Sequence, residues 1–336
     1  MIECIKNYDN AVKAYLREVR QTGMSEQTTT NYRGCLERFR AFWVETEPAD
    51  EPKPEDIRNF RDKLLDEGLK AKTVKQYLVE LKTFFTLASD PDFGYFSRNP
   101  VGMKAFPKIT DADDRIYDKI LPPEDIEKLW RNSRPAGAMY WERNYAMVTL
   151  LLDGKIRNSE LLDMKLSDID FEEKEVIIPK GKGRKRRWVQ LSDITITAIK
   201  LYLLSGIRPE GLSDTDLLFG TMAAKEYGKG RRDVGEWRRG TRQWLSKIVE
   251  QHVANVTGKH GFRSHSLRHN GAVLDLQTSK SKEEIQAQLG HSSIVTTELY
   301  TDRLKSARHS RHYREALEAR DICARENAEA LAMVVE

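Results

Sequence analysis

The chain has 336 residues, enough for about two domains, with 39% hydrophobic and 32% charged residues and a net charge of +4. No run approaches the ~18 consecutive apolar residues of a membrane-spanning helix, and MIECIKNYDN lacks the basic-then-apolar order of a signal peptide. Three widely spaced cysteines, Cys4, Cys35 and Cys323, exclude a disulfide framework and a CxxC metal knuckle. A reducing compartment, the cytoplasm, is expected.

The first hundred residues read as helices. Tyr32, Leu36, Phe39, Phe42 and Trp43 recur at helical spacing behind Ser25, Thr28 and Thr29 as cap candidates. Pro52-Lys53-Pro54 stops that run. Glu55-Asp56 then opens a helix through Ile57, Phe60, Leu64 and Leu65, which Gly68 ends. Val74, Tyr77, Leu78, Leu81, Phe84 and Phe85 make a further stripe. Each stripe is the buried side of an amphipathic helix, so residues 1–100 predict a small bundle without chemistry of its own.

Asn99-Pro100 closes the bundle, because the residue before proline is pushed out of the helical region. Residues 101–120, with Gly102, Pro107 and the acids Asp111, Asp113 and Asp114, show no apolar period and read as a linker. A new helix opens at Pro122-Pro123-Glu124-Asp125, and Tyr145, Met147, Val148, Leu150, Leu151 and Leu152 mark a buried one. Two short strands follow, around Val176-Ile177-Ile178 and Trp188-Val189-Gln190-Leu191. They flank the turn Lys180-Gly181-Lys182-Gly183-Arg184-Lys185. The remainder reads as helical, closing in a tail over residues 306–336. The fold class is mainly α with a small β-sheet.

Charge is nearly balanced, 56 basic against 52 acidic residues, but the cations cluster. Lys174 to Arg187 holds seven basic residues and one acid, and Lys225 to Lys247 holds eight and three. Such clusters suit a polyanion-binding face. The candidates are Lys180, Arg184, Lys185, Arg186, Arg187, Arg231, Arg232, Arg238, Arg239 and Arg242. The bland alternative is a set of solvated basic loops.

Five local signatures carry polar chemistry. Arg157 lies in Gly154-Lys155-Ile156-Arg157-Asn158-Ser159-Glu160, where an arginine with Glu160 three residues on is usually a helix-surface pair. Lys182 sits in the basic turn. His265 and Arg268 share a helix face in His265-Ser266-Leu267-Arg268-His269. His291 lies in Leu289-Gly290-His291, and Tyr300 follows nine residues later. The His265/His269 spacing would suit zinc, but Ser266 stands where a zinc-protease helix has its general-base glutamate, and the cysteines offer no third ligand nearby. No metal is expected.

Together, the order Arg, Lys in a strand turn, His-x-x-Arg, Gly-His, Tyr resembles the tyrosine recombinase (integrase) family. The matching segments are GKIRNSELL, GKGRKRRWVQL, HSLRH and LGHSSIVTTELYT. MSEQTTTNYRGCLERFRAFW and LKAKTVKQYLVELKTFF look like the family's core-binding domain, which extends the resemblance over roughly residues 8–305. It implies a helical core-binding (SAM-like) domain over 1–100, a linker over 101–120 and a mixed α/β catalytic domain over 121–305. By the same resemblance Arg157, Lys182, His265, Arg268, His291 and Tyr300 take the active-site positions, with Glu160 at a supporting acidic one. Two departures stand out. Gly154-Lys155-Ile156 replaces the family's usual Thr-Gly-Leu, and Asp302 stands where a histidine is common after the nucleophile.

These residue types suit phosphoryl transfer with fixed cations in place of a metal. Arg157 and Arg268 can present planar forks to phosphate oxygens, and His291 a further donor. Tyr300 is the implied nucleophile; with an ordinary pKa of about 10 it needs a base or a positive field. His265 is the candidate base, and Lys182 the acid for the leaving 5′-oxygen. The resemblance implies a 3′-phosphotyrosyl link to duplex DNA, no cofactor and a homotetramer assembled on DNA at the nucleoid. Accessory proteins, and the choice among integration, excision and dimer resolution, stay open.

The chain opens almost directly on the bundle, so an Xer-like architecture without an arm-binding domain is expected. Two alternatives share features. A type IB topoisomerase has a similar constellation but not the recombinase-like N-terminal bundle. A non-catalytic, integrase-derived DNA-binding regulator has no need of Tyr300. In the tail, Leu317, Ile322, Leu331 and Val334 form a stripe that either folds back on its own domain or packs on a neighbouring protomer.

Overall fold

The computed structural model describes residues 2–108, 120–131, 134, 138–179, 186–222, 225–227, 231–233, 236–277 and 307–335. The chain divides into two units, Met1–Arg115 and Ile116–Glu336, each with its own core.

The first unit is built from α1 (Ile2–Gln21), α2 (Glu26–Glu45), α3 (Pro54–Asp66) and α4 (Ala71–Ala88). Local chemistry sets the boundaries. Ser25 caps α2 by accepting from Thr28 N at 3.1 Å, so Thr28 and Thr29 fall inside the first turn. Pro54 starts α3, and the Asp56 carboxylate accepts from Lys53 N at 2.7 Å. Gly68, at φ 82°, takes the left-handed conformation that ends it. The expected stripes are buried, with Tyr32, Phe42 and Tyr77 partly so, except at Leu65, which faces solvent. Tyr8, on α1, sits amid Phe39, Trp43, Phe84, Phe85 and Phe96, and its hydroxyl donates to Leu36 O at 3.1 Å.

The expected linker is partly core. Val101 and Ala105 are buried with this aromatic cluster, and Arg61 Nη1 donates to Lys104 O at 3.1 Å. Two apolar contacts without a period leave no pattern to read. Residues 109–119 lie outside the described residues.

In the second unit, α5 (Pro123–Trp130) leads to α6 (Trp141–Leu152), whose sides are almost all buried. Then come α7 (Asn158–Leu162) and an antiparallel sheet of β1 (Ile169–Asp170), β2 (Glu175–Ile178) and β3 (Arg187–Gln190). Val176 pairs with Val189 and Ile178 with Arg187, as the two expected strands require; β1 adds an edge. After α8 (Asp193–Leu204) the expectation of continuous helix fails. β4 (Thr221–Met222) pairs with β7 (Trp237–Arg238), and β5 (Lys225–Tyr227) with β6 (Arg231–Asp233). Five glycines from Gly220 to Gly240 weaken any helix there, and Trp237 Nε1 anchors the segment by donating to Leu217 O at 3.0 Å.

The chain then forms α9 (Arg242–Thr257), α10 (Ser264–Gln277) and α11 (Ala307–Val335). α8, α9 and α10 pack around α6. The tail helix α11 lies on α5 and α8 of its own unit, with Ala316, Cys323 and Ala324 in the core. No helix among the described residues is long and apolar enough to cross a membrane.

Candidate active site

The turn leaving α6 is tied down at its first residue. Asp153 Oδ2 accepts from Ser192 N at 2.7 Å, Ser192 Oγ at 2.7 Å and Thr195 Oγ1 at 2.9 Å. Burial pushes its carboxyl up, but Lys155, Arg320 and the Ser192 bonds prevail and hold it below the usual carboxylate range. Arg157 then takes the N-cap position of α7, and its N donates to Glu160 Oε2 at 2.9 Å.

Glu160 gathers two arginines. Arg157 Nη1 donates to Oε1 at 2.9 Å, while Arg187, from β3, makes a two-pronged contact at 2.9 and 2.7 Å. Burial opposes the charge, yet the bonds from Arg187 and Arg157 lower the carboxyl to about 2. Arg187 was a candidate for the polyanion face; its guanidinium is half-buried against Glu160 instead. The alternation of β3 carried the signal, since Arg187 shares a face with the buried Val189. Arg186 and Trp188 occupy the other face, the guanidinium 5.0 Å from the ring centroid.

These shifts predict an acid dependence of stability. A folded-state pKa near 2 against an ordinary 4.5 means the stabilisation is complete above about pH 4.5 and disappears as pH falls towards 2. Glu160→Gln is expected to lower unfolding free energy at pH 7 by about 3 kcal/mol. Urea unfolding from pH 7 downwards checks this, and the gap to the parent protein should shrink below pH 4.5. A gap that does not change with pH would contradict the assignment.

Helix α10 supplies the second cluster. Arg268 is 4% exposed, and its Nη1 donates to Lys155 O, two residues from Arg157. The helix can sit this close because of Gly271: a Cβ there would come within 1.9 Å of Leu152 O. Asn270 fastens the same turn, accepting from Leu121 N at 2.6 Å and donating to Ser266 O at 2.7 Å. Lys155 itself is buried, and its Nζ lies 2.8 Å from Asp275 Oδ2.

His265 reaches solvent in the first turn of α10. Its Nε2 lies 2.8 Å from His269 Nε2, so one ring donates and the other accepts. The low-dielectric protein around it, and then the Arg268 cation, push its imidazole below the ordinary value. At neutral pH it is therefore uncharged and can accept a proton.

Among the residues singled out from sequence, Arg157, Glu160 and Arg187 meet directly, and Arg268 is bonded to the turn that precedes them. Lys182, His291 and Tyr300 lie outside the described residues, as do Lys180, Arg184 and Lys185. Arg231 and Arg232 are described by their β6 backbone only. Arg238 pairs with Glu236 at 3.1 Å, Arg239 with Asp163 at the end of α7, and Arg242 opens α9 on the surface. Lys155 was noticed in sequence only as a departure. What the described residues assemble is a pair of anchored guanidinium groups with a neutral imidazole on the same helix as one of them, an arrangement suited to an anionic phosphate.

The profile of the phage integrase family matches residues 119–307, and that of the phage integrase N-terminal SAM-like domain matches residues 12–90. Tyrosine recombinase XerC of Oceanobacillus iheyensis is 26% identical over 318 residues, covering 93% of this chain and 88% of its own. Tyrosine recombinase XerD of Staphylococcus saprophyticus is 27% identical over 301 residues, covering 89% and 95%. The fold is similar to that of XerH site-specific recombinase bound to a palindromic difH substrate, with a TM-score of 0.66 at 22% identity over 88% of this chain and 81% of that one.

Proposed function

The chain belongs to the phage integrase family and is a tyrosine recombinase; from that premise we propose that it cuts and rejoins duplex DNA at specific sites through a 3′-phosphotyrosyl link at Tyr300. The observation that carries this reading is the bond from Arg268 to the backbone of the turn presenting Arg157. That bond supports a reading in which two guanidinium groups from distant parts of the chain neutralise one phosphate.

In the proposed step the Tyr300 oxygen attacks phosphorus and its proton passes to His265. The bond to the 5′-oxygen breaks, and Lys182 protonates that oxygen. Arg157, Arg268 and His291 hold the non-bridging oxygens throughout. The phosphotyrosine conserves the ester, so a 5′-hydroxyl from a second strand can displace the tyrosine without ATP. The partners proposed are duplex DNA and further copies of the chain, a tetramer on two sites, acting in the cytoplasm.

A plasmid assay tests the reading. DNA that copurifies with the protein from its host supplies the sites. Two directly repeated copies in one supercoiled circle are expected to yield two smaller circles, and a single copy none. Relaxation of any circle regardless of sites would instead point to a topoisomerase, and binding without any product to a regulator.

A further inference from the structure

We propose that Lys155 is a positioning residue that holds Arg157 and Arg268 in register through its ion pair with Asp275; the proposal rests on the reading of the two arginines as phosphate ligands. Lys155 precedes Arg157 by two residues and adopts φ 51°, a conformation open to glycine but strained for a lysine. It is 3% exposed, so its ammonium is a charge taken out of water. A carboxylate and a carbonyl meet it there, the first as an ion pair and the second as a hydrogen-bond acceptor. Asp275 Oδ2 lies at 2.8 Å, and Asp153 O accepts at 2.5 Å.

The same residue grips α10 twice. Its side chain holds Asp275, while its carbonyl holds Arg268. Those two α10 residues are seven apart, hence two turns along one face of the helix. Gly271 lies between them on that face, and a Cβ there would approach Lys155 Cγ to 3.0 Å. The face formed by Arg268, Gly271 and Asp275 therefore lies directly on the turn leading to Arg157. Asp153 secures the other side of that turn to α8.

Stability alone is a poor account of this arrangement. A buried ion pair adds little over apolar side chains of similar volume, and the left-handed backbone subtracts. What a buried pair supplies, and apolar packing does not, is direction. Lys155 and Asp275 keep their 2.8 Å separation in only a narrow range of offsets between the turn and α10, and that offset bears on the spacing of the two guanidinium groups.

The test compares single-turnover formation of the covalent adduct, at saturating protein on a nicked half-site, with the Kd for that DNA. Lys155→Gly keeps the turn, because glycine takes the same φ without strain. It is expected to slow adduct formation about tenfold or more, as a small misplacement of catalytic groups does, with Kd changed less than about threefold. Asp275→Asn keeps the volume and is expected to slow it about tenfold or more by the same misplacement. The distinguishing readout is a methylphosphonate at the scissile position, which removes one charged oxygen and with it much of the demand on the arginines. There both variants are expected to come within about threefold of the parent rate.

Parent rates for both variants on the ordinary phosphodiester would overturn the proposal, and so would a deficit equally deep on the methylphosphonate, the sign of general damage. Should Lys155→Gly fail to fold, Asp275→Asn decides alone by the same two readouts. An Arg157→Ala arm separates the two levels. If it matches the parent rate, the reading of the site falls. If it is slow while Lys155→Gly and Asp275→Asn are fast, only the positioning role falls.

Discussion

Tyr300→Phe is expected to abolish covalent attachment of the protein to DNA while leaving duplex binding unchanged. The substitution removes a single oxygen, the one that would attack phosphorus, and the proposed step assigns that role to no other hydroxyl. The chain has twelve tyrosines, and several are disqualified by their surroundings. Tyr8, Tyr145 and Tyr202 donate to buried carbonyls of Leu36, Trp130 and Leu218 at 3.1, 2.8 and 2.9 Å. Burial holds their phenols, and that of Tyr15, well above the ordinary value, the opposite of what a nucleophile requires. Loss of a nucleophile removes about 10⁴-fold or more of the rate, so the labelled adduct should vanish from a denaturing gel. An adduct formed by the phenylalanine variant at the parent rate would move the nucleophile elsewhere.

Arg157→Ala is expected to slow strand cleavage about 10²-fold or more, the effect of losing one preorganised donor to developing charge, and cleavage by the parent protein should persist in excess EDTA. Arg157 is the cleaner of the two arginines to remove. Glu160 keeps its two bonds to Arg187 when Arg157 is truncated, so no buried carboxylate is left unpaired. Arg268→Ala should match or exceed the loss in rate. It also strips the donor from Lys155 O inside the protein, at about 1–3 kcal/mol of stability, so its rate must be read well below its melting temperature. A strict requirement for Mg²⁺ in cleavage would contradict the assignment of transition-state charge to these arginines.

The chemistry along the chain was legible because it is written in order and in short windows. Arg157 with Glu160, and His265 with Arg268, are each three residues apart, a spacing that one turn of helix turns into a shared face. Arg157 and Glu160 do meet as an ion pair, Nη1 to Oε1 at 2.9 Å. The bundle was legible for the same kind of reason. Stripes such as Leu36, Phe39 and Trp43 repeat with the helix, and Ser25 and Gly68 mark ends by local hydrogen bonding and backbone conformation.

Sequence alone thus determined the helical bundle and the β2–β3 pair, because helix stripes, caps and a short turn between two apolar strands are patterns of neighbouring residues. Tertiary structure decided the rest. The strands between Thr221 and Arg238 are two or three residues long, too short to show a period of two, and they exist through pairing and the anchoring of Trp237. Val101 and Ala105 join the first core by contacts that no pattern announces. Arg187 reaches Glu160 across 27 residues, and Arg268 reaches Lys155 across 113. An ion or carbonyl leaves no periodic trace of a partner so far along the chain. The burial of Lys155 against Asp275, and with it the meaning of a lysine where glycine was expected, depends on α10 lying on the end of α6, a packing that only the folded chain specifies.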